Sequence, residues 1–279
     1  MSQSLAQRLR ARDPATRAAA LLEVARQPDS TPYLHDVADA LGDADKTVSR
    51  TACRVLIALD PKHSEVRPLL RRALASDDAD RSWCAVFALA QVGPPGRELV
   101  PASVEAMGST DSDVRWAAGR VLAACAARHD AALRALLGLV TGGATPATQR
   151  SAVFALRLLE PRLETSSVLI AATRDDDISV KRAALSALAS GPHADESCAL
   201  RLQEVLASDA DLASRALAAV ALGEFCAANP AQLAGDIATQ LEAAAQVAEP
   251  STPNRARAGL RRAAARALAR LQGSVPSHE

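Results

Sequence analysis

One feature constrains this chain of 279 residues more than any other: a pattern that returns about every 33 residues. Its clearest copy is Asp111-Ser-Asp-Val-Arg-Trp-Ala-Ala-Gly-Arg-Val-Leu122. With Arg115 as anchor, the equivalent positions are Arg17, Ser49, Ser82, Arg115, Gln149, Lys181, Arg215 and Arg261, at steps of 32, 33, 33, 34, 32, 34 and 46 residues. Anchor plus three is alanine in all eight copies: Ala20, Ala52, Ala85, Ala118, Ala152, Ala184, Ala218 and Ala264. Anchor plus seven is Val24 in the first copy and then Leu56, Leu89, Leu122, Leu156, Leu188, Leu222 and Leu268. Anchor minus four is aspartate in six: Asp13, Asp45, Asp78, Asp111, Asp177 and Asp211. Self-similarity at such a period marks a stack of short supersecondary units, each too small to bury its own apolar face.

The columns define a helix. Plus three and plus seven lie one turn apart on a single face. Alanine lets a neighbouring helix approach, and leucine fills the space one turn on. Aspartate just before the helical pattern is placed to accept from the free N–H groups of the first turn. These second helices, called B, are predicted at 14–27, 46–59, 80–92, 113–127, 147–159, 179–189, 213–227 and 256–271. Helical patterns called A precede them at 4–11, 33–41, 65–74, 97–107, 131–140, 165–173, 196–206 and 231–247. Turn formers such as Asp60-Pro61, Gly93-Pro94-Pro95-Gly96, Gly142-Gly143 and Asn229-Pro230 separate the two sets. Aromatics are only 2% of residues, alanine is abundant, and β-branched residues are few, which argues against a sheet. The expectation is an all-α, right-handed α-α superhelix, a solenoid of about eight helical hairpins over 1–272. Its repeats run 1–28, 29–60, 61–93, 94–128, 129–160, 161–190, 191–228 and 229–272. The last is read as a variant cap with an extended A helix and a polar loop from Glu249 to Asn254. Residues 273–279 are read as a flexible tail.

The run Asp-x-x-Val-Arg-x-x-Ala-Ala-x-x-Leu resembles HEAT repeats, particularly the short bacterial HEAT-like type also found in phycobilin lyases. The Thr-Pro-Leu-His signature of ankyrin repeats is missing, as is the Trp/Gly/Tyr pattern of tetratricopeptides. The resemblance spans nearly the whole chain. It implies a curved scaffold whose B helices line the concave side and which binds something, usually protein. For the Asp and Arg at minus four and zero it implies capping of helix B and ties between adjacent loops.

Sequence features of the common catalytic classes are missing. The histidines, His35, His63, His129, His193 and His278, include no pair three or four apart. The cysteines, Cys53, Cys84, Cys125, Cys198 and Cys226, are odd in number, widely spaced and without a Cys-x-x-Cys, so they read as reduced thiols packed as small apolar groups. There is no glycine-rich phosphate loop. No metal, no cofactor and no enzymatic activity is expected. The first residues contain no apolar core of signal-peptide length, and no apolar run approaches ~18 residues. With 32 basic and 32 acidic side chains, no global field draws the chain to nucleic acid or membrane. A bacterial, cytoplasmic protein, monomeric when alone, is expected.

One set of B-helix positions breaks the packing logic. Plus one and plus five face away from plus three. They are Ala18/Leu22, Arg50/Arg54, Trp83/Phe87, Trp116/Arg120, Arg150/Phe154, Arg182/Ser186, Ala216/Val220 and Arg262/Arg266. Both tryptophans and two of the three phenylalanines of the chain fall there, with arginine beside them. Two arrangements fit. The rings fill gaps between B helices under arginine stems, or rings and guanidinium groups share a water-facing recognition strip. On the second, Arg50, Arg54, Trp83, Phe87, Trp116, Arg120, Arg150, Phe154, Arg157 and Arg182 bind an acidic peptide or protein segment. Nucleic acid is the secondary partner class, because some DNA glycosylases are HEAT-like with concave Trp and Arg beside a catalytic Asp. Here the residues four after Trp83 and Trp116 are Phe87 and Arg120, with no carboxylate. A bilin lyase or chaperone role is the third reading, implied by the repeat subtype alone.

Overall fold

The computed structural model describes residues 3–160, 162–189, 196–228, 234–246 and 255–274. Among them the chain forms sixteen α-helices and no strand. It divides into two compact units, Met1–Ala135 and Leu136–Glu279, with the division inside one helix. The first unit holds α1 (Leu5–Leu9), α2 (Pro14–Val24), α3 (Leu34–Asp39), α4 (Lys46–Leu59), α5 (Val66–Leu74), α6 (Ala79–Val92), α7 (Val100–Met107) and α8 (Ser112–Ala126). Helix α9 (Asp130–Thr141) carries the division. The second unit continues with α10 (Pro146–Leu156), α11 (Leu163–Ala172), α12 (Ile178–Leu188), α13 (Glu196–Ser208), α14 (Leu212–Ala228), α15 (Ala234–Ala245) and α16 (Arg255–Ser274). The even-numbered helices are the B helices. In the first unit α1, α3, α5 and α7 each pack on the B helix that follows, and α2, α4, α6 and α8 stack in succession. In the second unit α11, α13 and α15 pack on α12, α14 and α16, and α10, α12, α14 and α16 stack likewise.

The alanine column is the reason the stack closes. All eight plus-three alanines are completely buried. The plus-seven leucines at 56, 122, 156, 188 and 222 are buried beside them, while Leu89 and Leu268 are half-buried. Each B helix starts where its cap dictates. Asp13, Asp45, Asp78, Asp111, Asp177 and Asp211 all accept backbone N–H groups of the first turn through their carboxylates. Thr145 does the same for α10, and Pro14 and Pro146 follow their caps at the first helical position, where no N–H is needed.

Two A segments depart from the predicted single helices. Residues 33–41 form the short α3 between 3₁₀ turns at Thr31–Tyr33 and Ala40–Gly42. Residues 97–107 form a 3₁₀ turn at Arg97–Leu99 and then α7. Pro32 and Pro101 explain the turns before α3 and α7: each lacks an N–H and its ring crowds the preceding turn, so an α-helix starts at or near it. After α9, Gly143 takes φ 76°, the left-handed conformation that glycine allows, and a Cβ on Gly142 would stand 2.6 Å from the Gly138 carbonyl oxygen. The polar loop at 249–254 and both ends of the predicted 231–247 helix lie outside the described residues. So does residue 275 onward, while 273 and 274 continue α16.

The anchor column ties consecutive repeats together. Arg17 donates to the carbonyls of Ala11 and Arg12 and makes two bonds of 2.7 Å to the Asp43 carboxylate in the next repeat. Arg115 donates to the Ser109 and Thr110 carbonyls, and Arg215 to that of Leu206. Gln149 reaches the Val140 carbonyl and Asp175, and Lys181 pairs with Asp209. Asp43, Asp175 and Asp209 each also accept the backbone N–H two residues on, so an Asp-x-Asp turn orients the carboxylate that receives the anchor.

Candidate functional site

Helices α4, α6 and α8 of the first unit line an open cavity of about 600 Å³. Its walls are the strip residues Arg50, Arg54, Trp83, Phe87 and Trp116, joined by Asp113, Val114 and Ala117 of α8, with Cys53 and Cys84 beneath. The helix phase set by the buried alanines forces this arrangement: with Ala52, Ala85 and Ala118 turned inward, plus one and plus five emerge on the other side.

The rings occupy different depths. Trp83 and Phe87 are half-buried, with centroids 6.2 Å apart and planes tilted by 59°. Trp116 is 59% exposed. The Arg120 guanidinium lies 4.8 Å from its ring centroid, within cation–π range. Arg54 and Arg50 are exposed on α4. Arg54 donates to the Thr51 hydroxyl at 3.2 Å. Arg50 and Lys46 both reach past α6 to Asp111 at the start of α8, at 3.4 and 3.0 Å. The Lys46 ammonium, then the Asp113 N–H, hold the Asp111 carboxyl below the usual carboxylate range.

The floor is chemically quiet. Cys53 and Cys84 are buried, and the Cys53 thiol lies 3.5 Å from the Cys84 carbonyl oxygen. Burial pushes Cys53 up to about 12 and Cys84 to about 11, so both are protonated, non-nucleophilic thiols at neutral pH. No group of three or more His, Cys, Asp or Glu able to hold a metal occurs among the described residues.

The remaining strip residues belong to the second unit. Phe154 is 39% exposed on α10 with the Arg157 guanidinium 5.7 Å from its ring, and Arg150 is half-buried one turn earlier. Arg182 is committed elsewhere: its Nε and Nη2 bond both oxygens of Asp211, the cap of α14, at 2.8 and 2.7 Å. It therefore extends the inter-repeat ladder to the plus-one position. That role has no local sequence signal, because Asp211 is 29 residues away. The Lys46–Asp111 bridge, spanning 65 residues, is likewise invisible in the local pattern. The minus-six Asp43, Asp175 and Asp209 are visible only in part, since aspartate stands at that position in three of the eight copies.

No family model matches the chain. No curated protein sequence matches it either. Solved structures do match in fold. One is Kap95p, whose binding induces the switch loops of RanGDP to adopt the GTP-bound conformation, with TM-score 0.67, 13% identity, 99% of this chain and 42% of that chain covered. Kap121p bound to Ste12p matches with TM-score 0.62, 16% identity and coverage of 96% and 32%, and importin beta with TM-score 0.53, 17% identity and coverage of 98% and 41%. The chain thus spans from 32% to 42% of the length of these solved chains. At such identities the likeness is one of fold: the chain is an all-α superhelical repeat of HEAT-like type.

Proposed function

We propose that the chain is a non-catalytic interaction scaffold and that the α4–α6–α8 groove binds an acidic peptide or protein segment. One observation carries the reading: both tryptophans of the chain line a single open cavity with Phe87, Arg50 and Arg54, and Arg120 lies over the outer tryptophan. An apolar or aromatic side chain of the partner enters between Trp83/Phe87 and Trp116, and its neighbouring carboxylates pair with the guanidinium groups. Aromatic and arginine side chains are the types that dominate binding hot spots. A direct Lys46–Asp111 ion pair of 3.0 Å joins α4 to the start of α8 along this face. The Phe154/Arg157 pair offers the same chemistry on the second unit. Kap121p has been solved bound to Ste12p, Pho4p and Nup53p, which fits a peptide-binding use of such a fold. A nucleic acid needs a continuous basic track, and Asp111 and Asp113 interrupt this rim.

The test uses a tryptophan-free peptide with one leucine flanked by glutamates, titrated while the emission of Trp83 and Trp116 is recorded. A saturable change is expected with this peptide and none with the version carrying glutamine for glutamate. Arg54→Gln/Arg120→Gln is expected to weaken binding roughly tenfold or more. Trp116→Ala is expected to abolish the response with thermal stability nearly unchanged, since that side chain is mostly exposed. Equal responses to both peptides reject the acidic partner.

A further inference from the structure

The groove is unequal along its length. Toward the N-terminal ends of α4 and α8, Lys46 and Arg50 already hold a carboxylate, that of Asp111. Four residues on, Arg54 meets only the neutral Thr51 hydroxyl and Arg120 lies over Trp116; neither forms an ion pair among the described residues. The two oxygens of Asp111 have different partners. Oδ1 accepts the Asp113 N–H at 2.9 Å and so caps α8, whereas Oδ2 faces Lys46 and Arg50. Capping alone needs one oxygen, so the second does something the helix does not require.

We infer that Asp111 is an internal competitor: its Oδ2 occupies Lys46 and Arg50 at the rim of the groove in place of a partner carboxylate and directs the acidic groups of a bound peptide to Arg54 and Arg120. This rests on the peptide-binding reading above. The partner it fits is directional, with the apolar anchor between the rings and the carboxylates on the side of Arg54 and Arg120. A partner acidic on the other side must displace Asp111 from two cations to gain the same contacts. The competition is modest, because Lys46 and Arg50 are more than half exposed and such pairs are screened by water and salt.

Asp111→Asn separates the two oxygens' roles, since asparagine caps a helix as well as aspartate does but carries no charge. The leucine–glutamate peptide is titrated against the full chain as wild type, Asp111→Asn, Lys46→Met and Arg54→Gln, with helical circular dichroism checked for each. Asp111→Asn is expected to bind about two- to fivefold tighter, the range an exposed pair supplies. Lys46→Met is expected to bind more weakly, because it removes a cation and leaves the Asp111 charge less compensated. A bridge that only braced α4 against α8 would weaken binding in both variants. Unchanged or weaker binding by Asp111→Asn, with wild type binding and Arg54→Gln impaired, overturns the competitor and leaves the groove standing. No binding by wild type overturns both.

Discussion

Cys53 and Cys84 sit where a ligand would meet them, beneath Trp83 and Phe87, yet their environment silences them. Burial raises both, and Cys125, burial again the first cause, also stands at about 11. Ellman's reagent at pH 8 is therefore expected to label none of the five cysteines of the native protein within minutes, and all five after unfolding in guanidinium. Rapid native labelling would show that the groove floor is open. Single residues also mark how far sequence reading reaches. The plus-three alanines and the outward plus-one and plus-five positions follow from helix phase alone, and the structure buries the first while leaving Trp116, Arg54, Arg120 and Phe154 in solvent. The commitment of Arg182 to Asp211 does not follow, because a side chain's partner one repeat away depends on how closely two helices lean. The choice between gap-filling rings and a solvent-facing strip was open in the sequence for the same reason: Trp83 does some of the first, half-buried on Phe87, and Trp116 none of it.

Helices are set by caps and by how closely neighbours approach. A Cβ on Gly223 of α14 would stand 2.8 Å from the Cβ and 2.9 Å from the Cα of Ala267 in α16. Backbone cannot yield as a flexible side chain does, so Gly223→Ala is expected to destabilise by about 1–3 kcal/mol despite the better helix propensity of alanine. Gly138 of α9 is exposed and has nothing within 4 Å of its Cβ position, so Gly138→Ala is expected to stabilise by about 0.5–1 kcal/mol. Urea unfolding of the two variants checks both signs; equal effects would mean that packing does not set the α14–α16 spacing. Nearly every helix was legible from caps and periodicity to within a few residues. The 3₁₀ turns after α3 and before α7 were not, because Ala40, Leu41 and Pro101 sat inside patterns that periodicity alone reads as continuous helix.

Across the molecule, the recurring aspartates link folding to pH. Asp13 is held below its ordinary value by the Thr16 hydroxyl and N–H, Asp111 by Lys46, Asp177 by the Ser179 hydroxyl and N–H groups, and Asp211 by Arg182 and then Ser214 against the opposing effect of burial. Their folded-state values lie below the unfolded value of about 3.9. The stabilisation is thus complete above that pH and is lost as pH falls through the lowered values. The thermal midpoint is expected to be flat from pH 8 to about 5 and to fall steeply below about 4; a fall that begins near pH 6.5 would point to histidine instead. The repeat, and with it the superhelical fold, was legible over almost the whole chain. The division into two units was not, since it falls inside α9 with no break in the pattern. The most direct measurement of the groove's role uses its own reporters, the two indole N–H resonances of the ¹H–¹⁵N spectrum, which belong to Trp83 and Trp116. Titration with the leucine–glutamate peptide should move both together with the side-chain N–H signals of Arg54 and Arg120. Binding that leaves both indoles in place while signals outside α4, α6 and α8 move would contradict the groove as the binding surface.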